Sequence, residues 1–211
     1  MTFRSHEMVV GSIRPTRCLP SWTRSTRSAR QLPLVADASS DPFDPDRVLE
    51  TLNRHGVEYL LVGGLAARAH GAERQTSDVD CVPNTTVENL ERMAAALVEL
   101  DGRLRVGGMS DEEARSLPVT IDAETLLNFG SSTWMTDAGP LDLLVELRDR
   151  DGGRHDFVDL SARAVGYEVG DLTVLLASLD DIVASKEFAG REKDRDALPE
   201  PNELLRRQQS S

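Results

Sequence analysis

The sequence has few aromatic residues, only two cysteines and no long apolar run. Aromatics make up 4% of the 211 residues, and no apolar stretch approaches the roughly 20 residues that cross a bilayer. The N-terminus also lacks the apolar segment of a secretory signal. Cys18 lies in a polar stretch and Cys81 on the expected core side of a strand, a placement that favours neither a disulfide nor a zinc site. We therefore expect a cytoplasmic protein with reduced thiols and no membrane partner.

Charge is divided unevenly along the chain. Residues 1–36 hold six arginines against one glutamate, about +5, so the total of −12 leaves about −17 on residues 37–211. A body this acidic binds nucleic acid poorly unless it has a local basic patch. One candidate patch near the C-terminus consists of Arg191, Lys193, Arg195, Arg206 and Arg207.

Three parts of the chain differ in composition and pattern. Residues 1–40 are rich in Arg, Ser, Thr and Pro without a helical or strand period, which predicts a disordered basic tail. An RNA-binding arm and a start codon assigned too far upstream are the alternatives. We expect residues 41–150 to form the core, and residues 151–207 to form a hairpin and helical region packed on it.

Apolar periodicity predicts strands and helices in mixed order, without a strict βαβ alternation, and therefore an α+β fold. A helix should begin at Asp44 and Pro45, and another should end at Gly190. The helix over residues 84–100 should have an apolar face made of Val87, Leu90, Ala94, Leu97 and Val98.

Two further expectations concern turns and prolines. The stretch "STWMTDAGPLDLLVEL" predicts two strands joined by a turn at residues 138–140. The charged segment after Gly190 should be a helix that Pro199 and Pro201 interrupt, followed by a frayed end.

Asp78 and Asp80 stand one residue apart in "SDVDCV". Side chains alternate between the faces of a strand, so both carboxylates should project from the same face. Paired carboxylates suit Mg²⁺, which prefers oxygen ligands. The alternative is a solvated strand face that binds no metal, because such pairs of aspartates occur by chance in acidic proteins.

Three other features strengthen this interpretation. Gly63 and Gly64 lie between an apolar strand and a helix start, where a phosphate can approach backbone N–H groups. Asp142 stands in an otherwise apolar strand, where a carboxylate is costly to bury alone. Lys186 could reach a phosphate as a point charge. Taken singly, each has a plain alternative: a tight turn, an edge strand and a solvated lysine.

Together these residues resemble the DNA polymerase β-type nucleotidyltransferase superfamily. The resemblance rests on "LVGGLAARAHGAERQTSDVD", "GPLDLL" and "SLDDIVASKEFAGREKDRDAL", covers roughly residues 44–205, and is strongest to the AbiEii-like and MenT-like toxins. It implies a mixed sheet flanked by helices, with a small, mainly helical C-terminal part. It also implies the following roles: Asp78, Asp80 and Asp142 as metal ligands and catalytic residues, Lys186 as a catalytic and nucleotide-binding residue, and Gly63, Gly64, Thr76, Lys193 and Asp194 as nucleotide-binding residues.

The activity implied by the resemblance is Mg²⁺-dependent transfer of a nucleoside monophosphate from an NTP to an acceptor hydroxyl. In the toxins the acceptor is the 3′ end of tRNA, and a cognate antitoxin is a candidate partner. Leu65 departs from the family pattern, since Ser or Thr usually follows the second glycine. The alternatives are a small-molecule (aminoglycoside-like) acceptor, a protein acceptor, and an inactive binding module.

Overall fold

The computed structural model describes residues 43–169 and 172–210, so the tail predicted over residues 1–40 lies outside the described part. The strands are β1 (Tyr59–Leu61), β2 (Val79–Pro83), β3 (Arg103–Leu104), β4 (Ser132–Thr136), β5 (Gly139–Leu143), β6 (Leu147–Arg148), β7 (Arg154–His155), β8 (Val165–Val169) and β9 (Leu172–Leu176). The helices are α1 (Pro45–Arg54), α2 (Gly63–Ala69), α3 (Val87–Glu99), α4 (Asp111–Arg115), α5 (Ala123–Phe129), α6 (Phe157–Ser161), α7 (Leu179–Ala189), α8 (Glu192–Ala197) and α9 (Pro199–Gln209). None of these helices has the length and apolar character of a membrane span.

Seven strands form one mixed sheet in the order β3-β4-β5-β2-β1-β9-β8, and β6 pairs with β7 separately. The central strand β2 pairs antiparallel with β1 and parallel with β5. Its residues Val79 and Cys81 are fully buried, as expected from strand alternation. A mixed sheet flanked by helices confirms the predicted α+β fold.

Two helix boundaries follow from local sequence signals, and both predictions are confirmed. The carboxylate of Asp44 accepts the N–H of Arg47, and Pro45 occupies the first turn of α1. At the other end of the chain, the hydroxyl of Ser178 caps α7, which ends at Gly190 in the left-handed region (φ 57°). The caps satisfy backbone groups that the helix itself leaves without partners.

The apolar face predicted for α3 is wrong at its two ends. Val87 and Val98 are each 62% exposed, whereas Leu90 and Leu97 are buried. The buried stripe instead includes Asn89, whose side-chain amide donates to the backbone oxygens of residues 58 and 84. A buried asparagine with satisfied hydrogen bonds is indistinguishable from a surface residue in a hydrophobicity pattern.

The predicted turn between β4 and β5 is also misplaced. It lies at residues 137 and 138, and Gly139 and Pro140 belong to β5. The hydroxyl of Thr136 donates to the carbonyl of Gly139 and accepts the N–H of Ala138, which closes a tighter turn than predicted. This shorter turn fixes which residues of β4 face β5.

The predicted interruption of the charged helix is present, because α8 ends at Ala197 and α9 begins at Pro199, with Pro199 and Pro201 near its start. The first turn of a helix needs no intrahelical N–H donors, so proline is tolerated there. The helix then continues to residue 209.

The C-terminal helices hold the segment that leads into β2. A side-chain oxygen of Glu200 accepts the N–H groups of Glu73 and Arg74, and Arg74 donates to the carbonyl of Asp196. In the same region, β9 pairs with β1 in the main sheet. The division of the chain at residue 150 stays a prediction.

Candidate active site

The register of the sheet gathers the three carboxylates. Asp80 on β2 is the direct partner of Asp142 on β5, and adjacent strands lie about 4.8 Å apart. Asp78 comes just before β2. One oxygen from each of the three carboxylates lies within 4.8 Å of the other two. The residues predicted as metal ligands are therefore neighbours in the structure.

The electrostatics of this cluster are unfavourable without a cation. Burial, and then the charges of Asp78 and Asp142, raise the pKa of Asp80 to about 7, although Lys186 and the N–H of Gly64 oppose the shift. Burial also raises the pKa of Asp142, with a smaller opposing contribution from a hydrogen bond of Thr133. A nearby positive charge would favour the ionised form of both groups.

An unpartnered atom supports the same conclusion. Oδ1 of Asp142 is buried and has no hydrogen-bond partner among the described residues. A buried carboxylate oxygen without a partner is costly. Oxygen donors on three converging carboxylates form a set that hard divalent cations prefer, so the residues present fit a metal ion.

The glycine pair makes room for the side chains of the site. Gly63 has φ of 63°, and a Cβ placed on it would lie 1.9 Å from Oδ2 of Asp80. A Cβ on Gly64 would lie 2.6 Å from the hydroxyl oxygen of Thr76. A side chain at either position would force Asp80 or Thr76 to move, and Gly63 also has a backbone conformation that favours glycine.

Leu65 stands where the family pattern usually has Ser or Thr, and the structure shows where the nearest hydroxyl lies instead. Leu65 is fully buried in the core, so this position offers no hydroxyl to the site. The hydroxyl of Thr76 lies beside Gly64 and donates to Oδ1 of Asp78 at 2.7 Å. Thr76 therefore orients one of the three carboxylates.

Cationic side chains face the carboxylates from the C-terminal helices. The chain contains two lysines, Lys186 and Lys193, and both line the same cavity. Asp194 is 3% exposed and lies 3.8 Å from Nζ of Lys186, and it also accepts Nε–H of Arg191 at 2.5 Å. The resemblance implies that Asp194 binds nucleotide. In the structure its carboxylate instead lies next to the cationic groups of Lys186 and Arg191.

Two cavities meet at the carboxylates. The first, of about 640 Å³, is lined by Asp78 and Asp80 together with both lysines. The second, of about 420 Å³, is lined by Asp142. Leu144 and Arg191 line both. The first volume lies in the range of small-molecule sites, and the carboxylates stand where the two spaces adjoin.

The predicted basic patch is divided between the cavity and α9. Arg206 and Arg207 both pair with Glu203 on α9. Arg195 donates to the carbonyl of Gly190, at the end of α7. The other two members, Arg191 and Lys193, line the first cavity.

Several residues of the site were not predicted from sequence. Thr133 is the direct partner of Asp142 on β4, and Arg105 follows β3 and lines the second cavity with Phe129. The position of Thr133 follows from the length of the turn at residues 137 and 138, which was predicted incorrectly. No periodic pattern in residues 101–130 indicates the other two.

Comparison with known proteins identifies the fold. No family model and no curated protein matches the chain. The antibiotic-resistance factor ANT(2'')-Ia is 13% identical over 76% of this chain and 82% of its own, with a TM-score of 0.50. The lincosamide antibiotic adenylyltransferase LnuA, solved with lincomycin bound, is 13% identical over 77% of this chain and 99% of its own, with a TM-score of 0.51.

These two likenesses, together with the mixed sheet, show that the chain has the polymerase β-like nucleotidyltransferase fold. At this level of identity they establish the fold and leave the reaction and acceptor to the site itself.

Proposed function

We propose that this protein is a divalent-metal-dependent nucleotidyltransferase that transfers a nucleoside monophosphate from an NTP to an acceptor hydroxyl. The observation that carries the proposal is the convergence of Asp78, Asp80 and Asp142 where two cavities adjoin. Such a site can hold a nucleotide and an acceptor on opposite sides of one metal cluster.

The first cavity is the nucleotide site. Lys186 and Lys193 line this cavity together with Asp78 and Asp80 and would bind the triphosphate. Asp194 holds the cationic groups of Lys186 and Arg191 toward this space and acts as a positioning residue. Gly63 and Gly64 leave backbone close to the phosphates, and Thr76 fixes the orientation of Asp78.

The reaction proceeds by in-line displacement. The acceptor oxygen forms a bond to the α-phosphorus, the bond from that phosphorus to the bridging oxygen breaks, and pyrophosphate leaves. Asp142 receives the proton of the attacking hydroxyl. Asp78, Asp80 and Asp142 would hold the metal, proposed to be Mg²⁺, which supplies charge neutralisation for the phosphates and the leaving group.

For the acceptor, the leading proposal is RNA, at the 3′ end of tRNA, in a toxin that a cognate antitoxin restrains. It is supported by the resemblance to AbiEii-like and MenT-like toxins, and by the presence of Arg191 and Lys193 in the lining of the first cavity. The test is induced expression: the wild type should arrest growth, and Asp80→Asn should not. Normal growth with abundant soluble wild-type protein would argue against a toxin.

A small-molecule acceptor is the second candidate. It is favoured by the fold likeness to two proteins associated with antibiotics. Incubation with α-labelled NTPs and either total tRNA, tobramycin or lincomycin identifies the acceptor by the species that becomes labelled.

The same assay tests the activity itself. Asp78→Ala should abolish labelling of every acceptor, and Asp151→Asn, which changes an exposed acidic residue outside both cavities, should not. Calorimetry with Mg²⁺ and each NTP tests the inactive alternative. The absence of heat with every nucleotide would favour a binding module that has lost catalysis.

A further inference from the structure

We propose that the second cavity is the acceptor subsite, and that it takes an acceptor with a phosphate group near the reacting hydroxyl rather than a polycation. This inference rests on the proposed function and specifies the charge of its acceptor. It comes from the side chains that line the second cavity, which differ in charge from the acidic protein around them.

The position of the cavity assigns it to the acceptor. Asp142 lines this space, and Asp78 and Asp80 line the other. A hydroxyl held in the second cavity therefore meets the carboxylate that receives its proton, while the nucleotide lies on the far side of the cluster. The acceptor oxygen then attacks the α-phosphorus, and pyrophosphate leaves into the first cavity.

The charge of the cavity favours an anionic group. Arg105 and Arg191 line this cavity together with one carboxylate, Asp142, in a protein whose net charge is −12, and Arg191 is also ion-paired with Asp194. Arg105 is exposed, and its positive charge helps to lower the pKa of Asp142, which burial raises. A subsite for a polycation would need several carboxylates around the ligand. Guanidinium groups instead match phosphate oxygens in geometry and charge.

The register of the sheet orders these groups in a row. Thr133 lies directly opposite Asp142, and the N–H of Arg105 donates to the carbonyl of Thr133 at 2.8 Å. Two strand spacings, about 10 Å, therefore separate the backbones of Asp142 and Arg105. A hydroxyl at Asp142 and a phosphate at Arg105 can belong to one acceptor molecule.

An aromatic side chain adds a contact of a different kind. Phe129 lines the same cavity and is 43% exposed. An exposed ring beside a cationic group suits a heterocycle that stacks while its phosphate is bound. A free nucleotide and the end of a nucleic acid share this chemistry, and the experiment separates them.

The test measures transfer of label from α-labelled NTPs to four acceptors: a short RNA oligonucleotide, a nucleoside 5′-monophosphate, the matching nucleoside without phosphate, and tobramycin. We expect label on the oligonucleotide or the monophosphate, and at least tenfold less on the nucleoside. Label on the oligonucleotide alone identifies a nucleic acid end, and label on both identifies the phosphate group itself.

Variants at Arg105 test the assignment of the subsite. Arg105→Glu should raise KM for the phosphate-bearing acceptor at least tenfold and leave KM for the NTP within about twofold, and Arg105→Lys should recover part of the loss. Arg47→Glu makes the same charge change at an exposed position on α1 outside both cavities and should have no effect. Thermal unfolding confirms that each variant is folded.

Two results would overturn the inference. Preferential labelling of tobramycin or of the unphosphorylated nucleoside would show that the acceptor is not anionic, while the proposed function stands. Unchanged acceptor KM in Arg105→Glu would show that the cavity is not the subsite. Failure of the proposed function differs from both, because then no acceptor is labelled and the wild type binds no NTP.

Discussion

The carboxylates and the cations of the site are held in different ways. Asp80 and Asp142 are direct partners on adjacent strands, so the backbone register of the sheet sets their separation. Lys186 and Arg191 lie on and just after α7, and both converge on one buried carboxylate, Asp194. Strand pairing thus fixes the groups proposed for chemistry, whereas a single side-chain network positions the groups proposed for nucleotide binding.

The largest expected effect follows from removing a carboxylate. Asp78→Ala and Asp142→Asn should each reduce transfer by about 1,000-fold or more, because metal-assisted charge stabilisation is worth several kcal/mol in the transition state. Asp78 is partly exposed, so thermal unfolding of Asp78→Ala should change little. Full activity in either variant would remove that residue from the mechanism.

A smaller effect is expected on the cationic side. Asp194→Asn should raise KM for the NTP about tenfold, with a lesser change in kcat, because Lys186 and Arg191 lose their common partner. Steady-state kinetics at varied NTP concentration separates the change in KM from the change in kcat. Glu203→Gln is the matched control, since Glu203 also pairs with two arginines but lies on the exposed side of α9. Equal effects of the two variants would contradict a positioning role for Asp194.

The convergence of the three carboxylates could be predicted from sequence because its signals are local. Asp78 and Asp80 follow the alternation of one strand, and Asp142 is a charged residue in an apolar segment. The residues of the second cavity depend on pairing between distant segments. Thr133 lies opposite Asp142 only because the turn between β4 and β5 has its particular length. The buried face of α3 was predicted incorrectly because it includes a polar residue, Asn89. Register and satisfied polar burial are set by tertiary structure.

The pH dependence of stability offers a third test. The pKa of Asp80 is raised to about 7 from an ordinary value of 3.8, so the folded state binds its proton more tightly than the unfolded state. Protonation of Asp80 therefore stabilises the folded state. This stabilisation is complete below about pH 4 and is lost as pH rises through 7. Asparagine does not ionise, so Asp80→Asn should be more stable than wild type at pH 8 by about 2 kcal/mol without divalent metal.

Denaturant unfolding at pH 5 and pH 8, with EDTA present, measures this difference. The difference in the free energy of unfolding between Asp80→Asn and the wild type should be largest at pH 8 and smaller at pH 5. Addition of Mg²⁺ should stabilise only the wild type, since a ligand that binds the folded state shifts unfolding by mass action. A variant less stable than wild type at pH 8 in EDTA would contradict the repulsion within the cluster.

The smallest expected effect is protection of the lysines. The chain has two lysines, both in the first cavity, so amine-reactive labelling followed by peptide mass spectrometry reports on this site. Saturating NTP with Mg²⁺ should slow labelling of Lys186 and Lys193 at least about three- to fivefold, because bound nucleotide covers both amines. Labelling of the N-terminal amine should not change. Unchanged labelling of both lysines at saturating NTP would place the nucleotide elsewhere.

The most direct test of the account is binding of a divalent metal, measured by titrating the protein with Mn²⁺ and recording the free ion by electron paramagnetic resonance. The account predicts saturable binding by the wild type and at least a tenfold loss of affinity in each of Asp78→Ala, Asp80→Asn and Asp142→Asn, with Asp151→Asn unchanged. Equal Mn²⁺ affinity in the wild type and all three cluster variants would contradict it.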